Sequence, residues 1–121
     1  MAQPPIDRVL ADARTIIADR KRRLRACEAV TADGDECDPC GDEAQRFCAV
    51  GALIRAAYEL TGDHERAHSL GWQIAGMVAD AANLLPVEDE EGGWSLAMLN
   101  DTRGQAAVLR AVDVLIEQRR S

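Results

Sequence analysis

The sequence has few aromatic residues, a single lysine and no long apolar run. Only four of its 121 residues are aromatic, whereas 21 are alanine, and this composition favours closely packed helices. Runs of β-branched residues that would form strands are scarce. No apolar segment approaches the ~18–20 residues that a membrane span needs, and the N-terminus lacks the basic start and apolar stretch of a signal peptide. We therefore expect an all-α, cytoplasmic protein without a membrane segment.

The charge is acidic overall but is unevenly distributed along the chain. The net charge is −7, and Lys21 accompanies 13 arginines, a ratio that together with the alanine content is typical of a GC-rich bacterial genome. Residues 1–25 carry a net charge of +4, and residues 26–65 carry −8. The acidic balance disfavours nucleic-acid binding. The basic cluster over 20–25 could contact a phosphate or an acidic partner, although a solvated helix end is favoured.

Apolar periodicity predicts a mainly helical single domain over residues 1–121, a four-helix-type bundle with a short hairpin or loop after the first helix. The hairpin would turn at Asp33-Gly34. Gly62 lies where a left-handed C-terminal cap is expected, and Asp63 can cap the next helix. Asp101 or Thr102 can cap the last helix. The predicted main helices cover 6–22, 43–61, 64–84 and 103–119, with a short helical piece over 94–99.

Four cysteines within 22 residues form the first candidate metal site: Cys27, Cys37, Cys40 and Cys48. Cys37 and Cys40 have the C-x-x-C spacing in which a tight turn directs two thiolates at one zinc ion. Three alternatives stay open, namely separate reduced thiols, a structural zinc site and a disulfide. The first is favoured, because Cys48 lies on the apolar face of its predicted helix and no export signal is present.

A second candidate metal site is the string His64-Glu65-Arg66-Ala67-His68, which matches the H-E-x-x-H of zinc proteases. Two histidines at i and i+4 share a helix face and could bind zinc, with Glu65 activating a water. Glu88, 20 residues after His68, resembles a third ligand. The string lies at a helix start, however, and Arg66 introduces a charge within it. An exposed first turn is therefore favoured over a metallohydrolase site.

Two short motifs resemble a family of small bacterial and phage helical proteins of unassigned function. The first is Phe47-Cys48-Ala49-Val50-Gly51-Ala52-Leu53, an aromatic-Cys-x-x-Gly-Ala-Leu helix start. The second is the Asn-Asp-x-x-Gly turn that begins at Asn100 and precedes the last helix. The resemblance implies structural roles in helix packing and capping for Cys48, Gly51, Asn100 and Asp101. It assigns no catalytic residue.

Two hypotheses of function follow from these observations. The first is a non-catalytic module that binds a partner or self-associates, for example as a homodimer, because no catalytic triad, phosphate loop or pair of catalytic acids is evident. The second is a zinc protein, structural through the four cysteines or hydrolytic through His64, Glu65 and His68. The sequence favours a role without catalysis and identifies no cofactor other than the candidate zinc ion.

Overall fold

A computed structural model describes residues 5–25, 27–82 and 93–120 of the chain. The elements in chain order are α1 (Pro5–Ala18), β1 (Ala29–Val30), β2 (Arg46–Phe47), α2 (Ala49–Thr61), α3 (His64–Ala81), α4 (Gly93–Arg103) and α5 (Gln105–Arg120). The predicted mainly helical class is confirmed. These ranges contain five helices, whereas four main helices and a short helical piece were predicted. None of the five is long and apolar enough to cross a membrane.

Helix α2 forms the centre of the core, with α1 and α3 packed against it and α5 packed against both of those helices. Its buried residues are Ala49, Val50, Gly51, Ala52, Leu53, Ile54, Ala56 and Ala57. Small side chains let the helices approach closely. A Cβ atom on Gly71 of α3 would lie 2.6 Å from Cγ1 and 2.9 Å from Cα of Ile54. The two backbones are thus in direct contact through a glycine.

Helix α2 begins later than the predicted residue 43, because the preceding residues belong to a small antiparallel sheet. Ala29 pairs with Phe47, and Val30 pairs with Arg46. The Asp33-Gly34 turn is present, with Gly34 at φ +92°, but only an isolated bridge between Val30 and Glu36 follows it. The predicted hairpin is therefore reduced to a turn, and the strand partner comes from residues just before α2.

The helix boundaries show which capping predictions are correct. Gly62 is left-handed at φ +68° and ends α2, and the Asp63 side chain accepts a hydrogen bond from the N–H of Arg66 in α3. Both caps were predicted. Asp101 and Thr102 were predicted to precede the last helix, but they lie inside α4, which continues to Arg103. Gly104, at φ +79°, separates α4 from α5.

An ion pair between Arg14 and Asp113 joins α1 to α5. Nε and Nη2 of Arg14 donate to the two carboxylate oxygens of Asp113 at 2.6 and 3.1 Å, which holds the pKa of Asp113 below its usual value. Because the pKa of Asp113 is lower in the folded state, the ion pair stabilises the fold at pH values above the unfolded-state pKa of about 3.9. This stabilisation is lost as the pH falls through the folded-state pKa.

We expect Asp113→Asn to lower the free energy of unfolding at neutral pH by no more than about 1 kcal/mol, because both side chains are substantially exposed. The difference from the parent protein should vanish in acid. Urea unfolding at pH 7 and below about pH 3 measures this. Asp80→Asn is the control, since Asp80 is exposed and has no ion pair within the described part of the chain. An equal effect of the two substitutions would contradict the prediction.

Candidate metal centre

Four side chains with different metal-ligating atoms converge between the loop after β1 and the first turns of α3. They are Asp38, Cys40, His64 and His68, and one ligand atom from each lies within 4.8 Å of all the others. Nε2 of His64 lies 2.6 Å from Oδ2 of Asp38, and Nε2 of His68 lies 3.2 Å from Oδ1 of the same carboxylate. The Asp38 carboxylate therefore accepts hydrogen bonds from both imidazoles.

The loop that carries Asp38 and Cys40 is held by backbone hydrogen bonds. The N–H of Cys40 donates to Oδ1 of Asp38 at 2.8 Å, and the N–H of Gly41 donates to the Asp38 carbonyl at 2.9 Å. The tight turn that results is the Asx turn expected for an aspartate before a proline. Nη1 of Arg55 in α2 donates to the carbonyls of Pro39 and Gly41 at 3.2 and 2.8 Å. This contact fixes the loop on α2.

The two histidines reach the site because α3 begins directly at His64. Residues at i and i+4 lie above one another on a helix, and the two ring centroids are 4.6 Å apart. The Asp63 cap sets where the first turn starts, and the left-handed Gly62 turns the chain so that α3 packs against α2. The α2–α3 packing thus brings His64 and His68 to the loop that Arg55 holds.

The protein environment shifts the pKa values of the Asp38 carboxyl and the Cys40 thiol in opposite directions. Burial by itself raises the pKa of Asp38, but the Cys40 N–H and the two histidines outweigh it and hold that pKa well below its usual range. Burial, together with the Asp38 charge, raises the pKa of the Cys40 thiol to about 11. At neutral pH the site therefore contains a carboxylate and a thiol, and a metal that binds Cys40 must displace its proton.

Two nitrogens, one sulfur and one carboxylate oxygen are a donor set that suits zinc, which accepts all three atom types. In a tetrahedral site with bonds of about 2.0–2.3 Å, neighbouring donors lie roughly 3.3–3.8 Å apart. The spacing of up to 4.8 Å among the four atoms is wider than this, and the 2.6 Å between Nε2 of His64 and Oδ2 of Asp38 is shorter, so that zinc binding requires side-chain rotations. The His64 side chain, 59% accessible, has room to rotate. The residues present therefore fit zinc.

Of the four cysteines, only Cys40 belongs to this cluster, and all four are free thiols in the structure. Cys48 caps α2, because its Sγ accepts the N–H of Gly51 at 3.3 Å, and burial raises its pKa to about 11. Cys27 and Cys37 are half-buried, and burial raises the pKa of both thiols. The capping role of Cys48 is of the kind that the family resemblance implies.

The cluster combines residues that the sequence placed in two separate candidate sites. Cys40 comes from the C-x-x-C motif, and the two histidines come from the H-E-x-x-H string. Glu65 is exposed and does not belong to the cluster, and Glu88 lies outside the described residues. Asp38 was missed: it lies inside the C-x-x-C motif, beside Pro39, and no sequence spacing relates it to the two histidines.

Comparisons with known proteins identify the family. Neither the comparison with curated proteins nor that with solved structures found a match. A family model described as a family of unknown function, DUF6197, matches residues 1–118, which confirms the predicted resemblance to a domain of unknown function. Since the match covers nearly the whole sequence, the chain belongs to this family.

Proposed function

We propose that this protein binds one zinc ion through Asp38, Cys40, His64 and His68, and that the ion has a structural role. The observation that carries the proposal is the convergence within 4.8 Å of four ligand atoms from two segments more than 20 residues apart. The donors include a thiol and two imidazoles. Such a set goes beyond the exposed acidic clusters that are common on protein surfaces.

The number of protein donors supports a structural role over a hydrolytic one. Structural zinc sites have four protein ligands, whereas catalytic sites have three and leave one position for water. Glu65, the residue that would activate water in the H-E-x-x-H hypothesis, is exposed and lies outside the cluster. Zinc would connect the loop at 38–40 to the first two turns of α3, which agrees with the non-catalytic role favoured by the sequence.

Metal analysis and cobalt titration test the proposal on protein purified in reductant. We expect one zinc per chain, and Co²⁺ added to the chelator-treated protein should give a thiolate-to-cobalt charge-transfer band. Cys40→Ser should abolish this band, and His68→Ala should weaken zinc binding more than about 100-fold, beyond the loss typical of groups that only orient a ligand. Cys37→Ser is the matched control, because Cys37 shares the C-x-x-C motif without joining the cluster.

Three results would overturn parts of the proposal. Protein that binds no stoichiometric zinc would refute it entirely. Zinc that is lost in Cys37→Ser but retained in His68→Ala would select the four-cysteine site. Zinc that is retained in Asp38→Asn would indicate three protein ligands and an open position, which would favour catalysis.

The self-association hypothesis has less support. Among the described residues, the single large hydrophobic side chain that is exposed is Leu60, at 42%. Extensive homodimer interfaces are more apolar than the rest of the protein surface. The described residues therefore offer little apolar surface for a homodimer interface. Zinc binding remains the function that we propose.

A further inference from the structure

We propose a second ligand site, a phosphate-binding pocket bordered by Arg23, Arg25 and Arg46. The pocket has a volume of about 230 Å³ and lies between the segment that follows α1, the start of α2 and the junction of α4 with α5. Phe47 and Ile17 form part of its apolar lining. The volume is below the ~300–1,000 Å³ of pockets for drug-sized ligands and therefore suits a small anionic group.

The arginine-bearing segment is fixed in position by contacts with Phe47 and Asn100. The N–H of Phe47 donates to the carbonyl of Arg22 at 2.6 Å, and the Arg22 guanidinium lies 5.4 Å from the centre of the Phe47 ring. The Asn100 amide, buried in the core, donates to the Leu24 carbonyl at 2.8 Å. The backbone of this segment is therefore fixed beyond the end of α1 at Ala18. The side chains of Arg23 and Arg25 are exposed, as the favoured interpretation of the basic cluster as solvated predicts.

Two of the guanidinium groups lie beside residues that also line the pocket. Nη1 of Arg23 donates to Oε1 of Gln105 at 3.1 Å, and the Gln105 amide is itself held by the Ile17 carbonyl at 2.8 Å. Nη2 of Arg25 lies over Gly104, 3.4 Å from the position of a Cβ atom there. Both arginines retain N–H donors beyond these contacts, because a guanidinium carries five.

The guanidinium groups at the pocket make no salt bridge within the described part of the chain. Among the described residues, no carboxylate lies within 4.0 Å of the nitrogens of Arg23, Arg25 or Arg46, although four other arginines are ion-paired. The Asp101 carboxylate accepts from the Asn100 amide at 3.3 Å and does not line the pocket. Nη2 of Arg46 lies 4.0 Å from the Cβ position of Gly34, in the turn between Asp33 and Asp35, so the positive charge at the pocket comes mainly from Arg23 and Arg25. In a chain of net charge −7, these two arginines favour an external anion.

Two helix N-termini add to this positive potential. Ala49 and Gln105, the first residues of α2 and α5, both line the pocket. The residue before α5 is Gly104, which has no side chain with which to cap the helix. Arginine forks and helix N-termini together match a tetrahedral oxyanion with several acceptor atoms. We therefore assign the ligand as a phosphate group, free or on a small organic molecule.

Calorimetric titration of the full chain with inorganic phosphate tests the site independently of zinc binding. We expect saturable 1:1 binding that weakens about tenfold or more in Arg25→Gln and in Arg23→Gln, because each removes a charge-assisted hydrogen bond. Arg20→Gln is the matched control, since Arg20 belongs to the same basic cluster but does not line the pocket. Binding to this control should equal that of the parent protein.

Phenyl phosphate and acetate at matched ionic strength complete the test. Tighter binding of phenyl phosphate than of inorganic phosphate would identify an organic monoester as the ligand, and equal or weaker binding would identify free phosphate. The proposal would be overturned if phosphate does not bind saturably or if acetate binds as strongly as phosphate. It would also be overturned if Arg20→Gln weakens binding as much as Arg25→Gln. Unfolding curves without ligand show whether each variant is folded.

Discussion

Gly51→Ala is expected to destabilise the protein by about 3 kcal/mol or more, at or above the upper end of the range for overpacked cores. A Cβ atom at this position would lie 1.9 Å from the carbonyl oxygen of Glu28 and 2.8 Å from its carbonyl carbon. The contact is with backbone and not with a flexible side chain. The same carbonyl accepts the N–H of Cys48 at 3.1 Å, so it cannot move without breaking the start of α2. The gain of about 1 kcal/mol in helix propensity offsets only part of this loss.

Urea unfolding measures the effect, and Gly62→Ala provides the comparison. Gly62 has no atom within 4 Å of its Cβ position but has φ +68°, so alanine there should cost only the left-handed strain of roughly 1–2 kcal/mol. We expect the midpoint of Gly51→Ala to fall clearly below that of Gly62→Ala. If Gly51→Ala is as stable as the parent protein, the close approach of Glu28 to α2 does not exist in solution.

Zinc is expected to raise the free energy of unfolding by about 4 kcal/mol when its free concentration is 1,000 times the dissociation constant. This prediction rests on the proposed site, because the four donors lie close together only when the loop at 38–40 packs beside α3. Zinc should therefore bind the folded chain far more tightly than the unfolded one. Thermal or urea unfolding in reductant, with zinc or with a chelator, gives the increment directly.

Two variants separate the proposed site from binding elsewhere. His68→Ala should lose most of the increment, because a site weakened 100-fold keeps no more than about 1.4 kcal/mol at the same zinc concentration. Cys37→Ser should keep the full increment. Unfolding that does not depend on zinc in the parent protein would contradict the prediction. An undiminished increment in His68→Ala would place the ion at other residues.

Local patterns in the sequence predicted which segments are helical more accurately than the residues at which each helix begins and ends. Apolar periodicity identified α1, α2, α3 and α5, and the pair Gly62-Asp63 correctly marked the end of one helix and the start of the next. The start of α2 was predicted too early because Arg46 and Phe47 pair with β1, whose residues lie 16 and 18 positions earlier in the chain. A local pattern contains no information about such a partner.

The sequence identified Cys40, His64 and His68 as candidate metal ligands but assigned them to two separate sites. Spacing along the chain pairs Cys37 with Cys40 and His64 with His68, because these residues share a turn. Only the packing of α3 against α2, together with the hold of Arg55 on the loop, brings Cys40 and His68 to one place. Asp38 carries no metal-ligand spacing of its own, and its role depends on where both histidines lie.

The direct contact of α2 and α3 at Gly71 also bears on the conformational entropy of folding. Burying glycine or alanine removes no side-chain rotamer freedom, whereas long flexible side chains lose up to about 2 kcal/mol each on burial. Five of the eight buried residues in α2 are alanine or glycine. A core assembled by backbone approach thus orders few side chains for the dispersion contacts that it gains, which explains how a chain with four aromatic residues can form a closely packed centre.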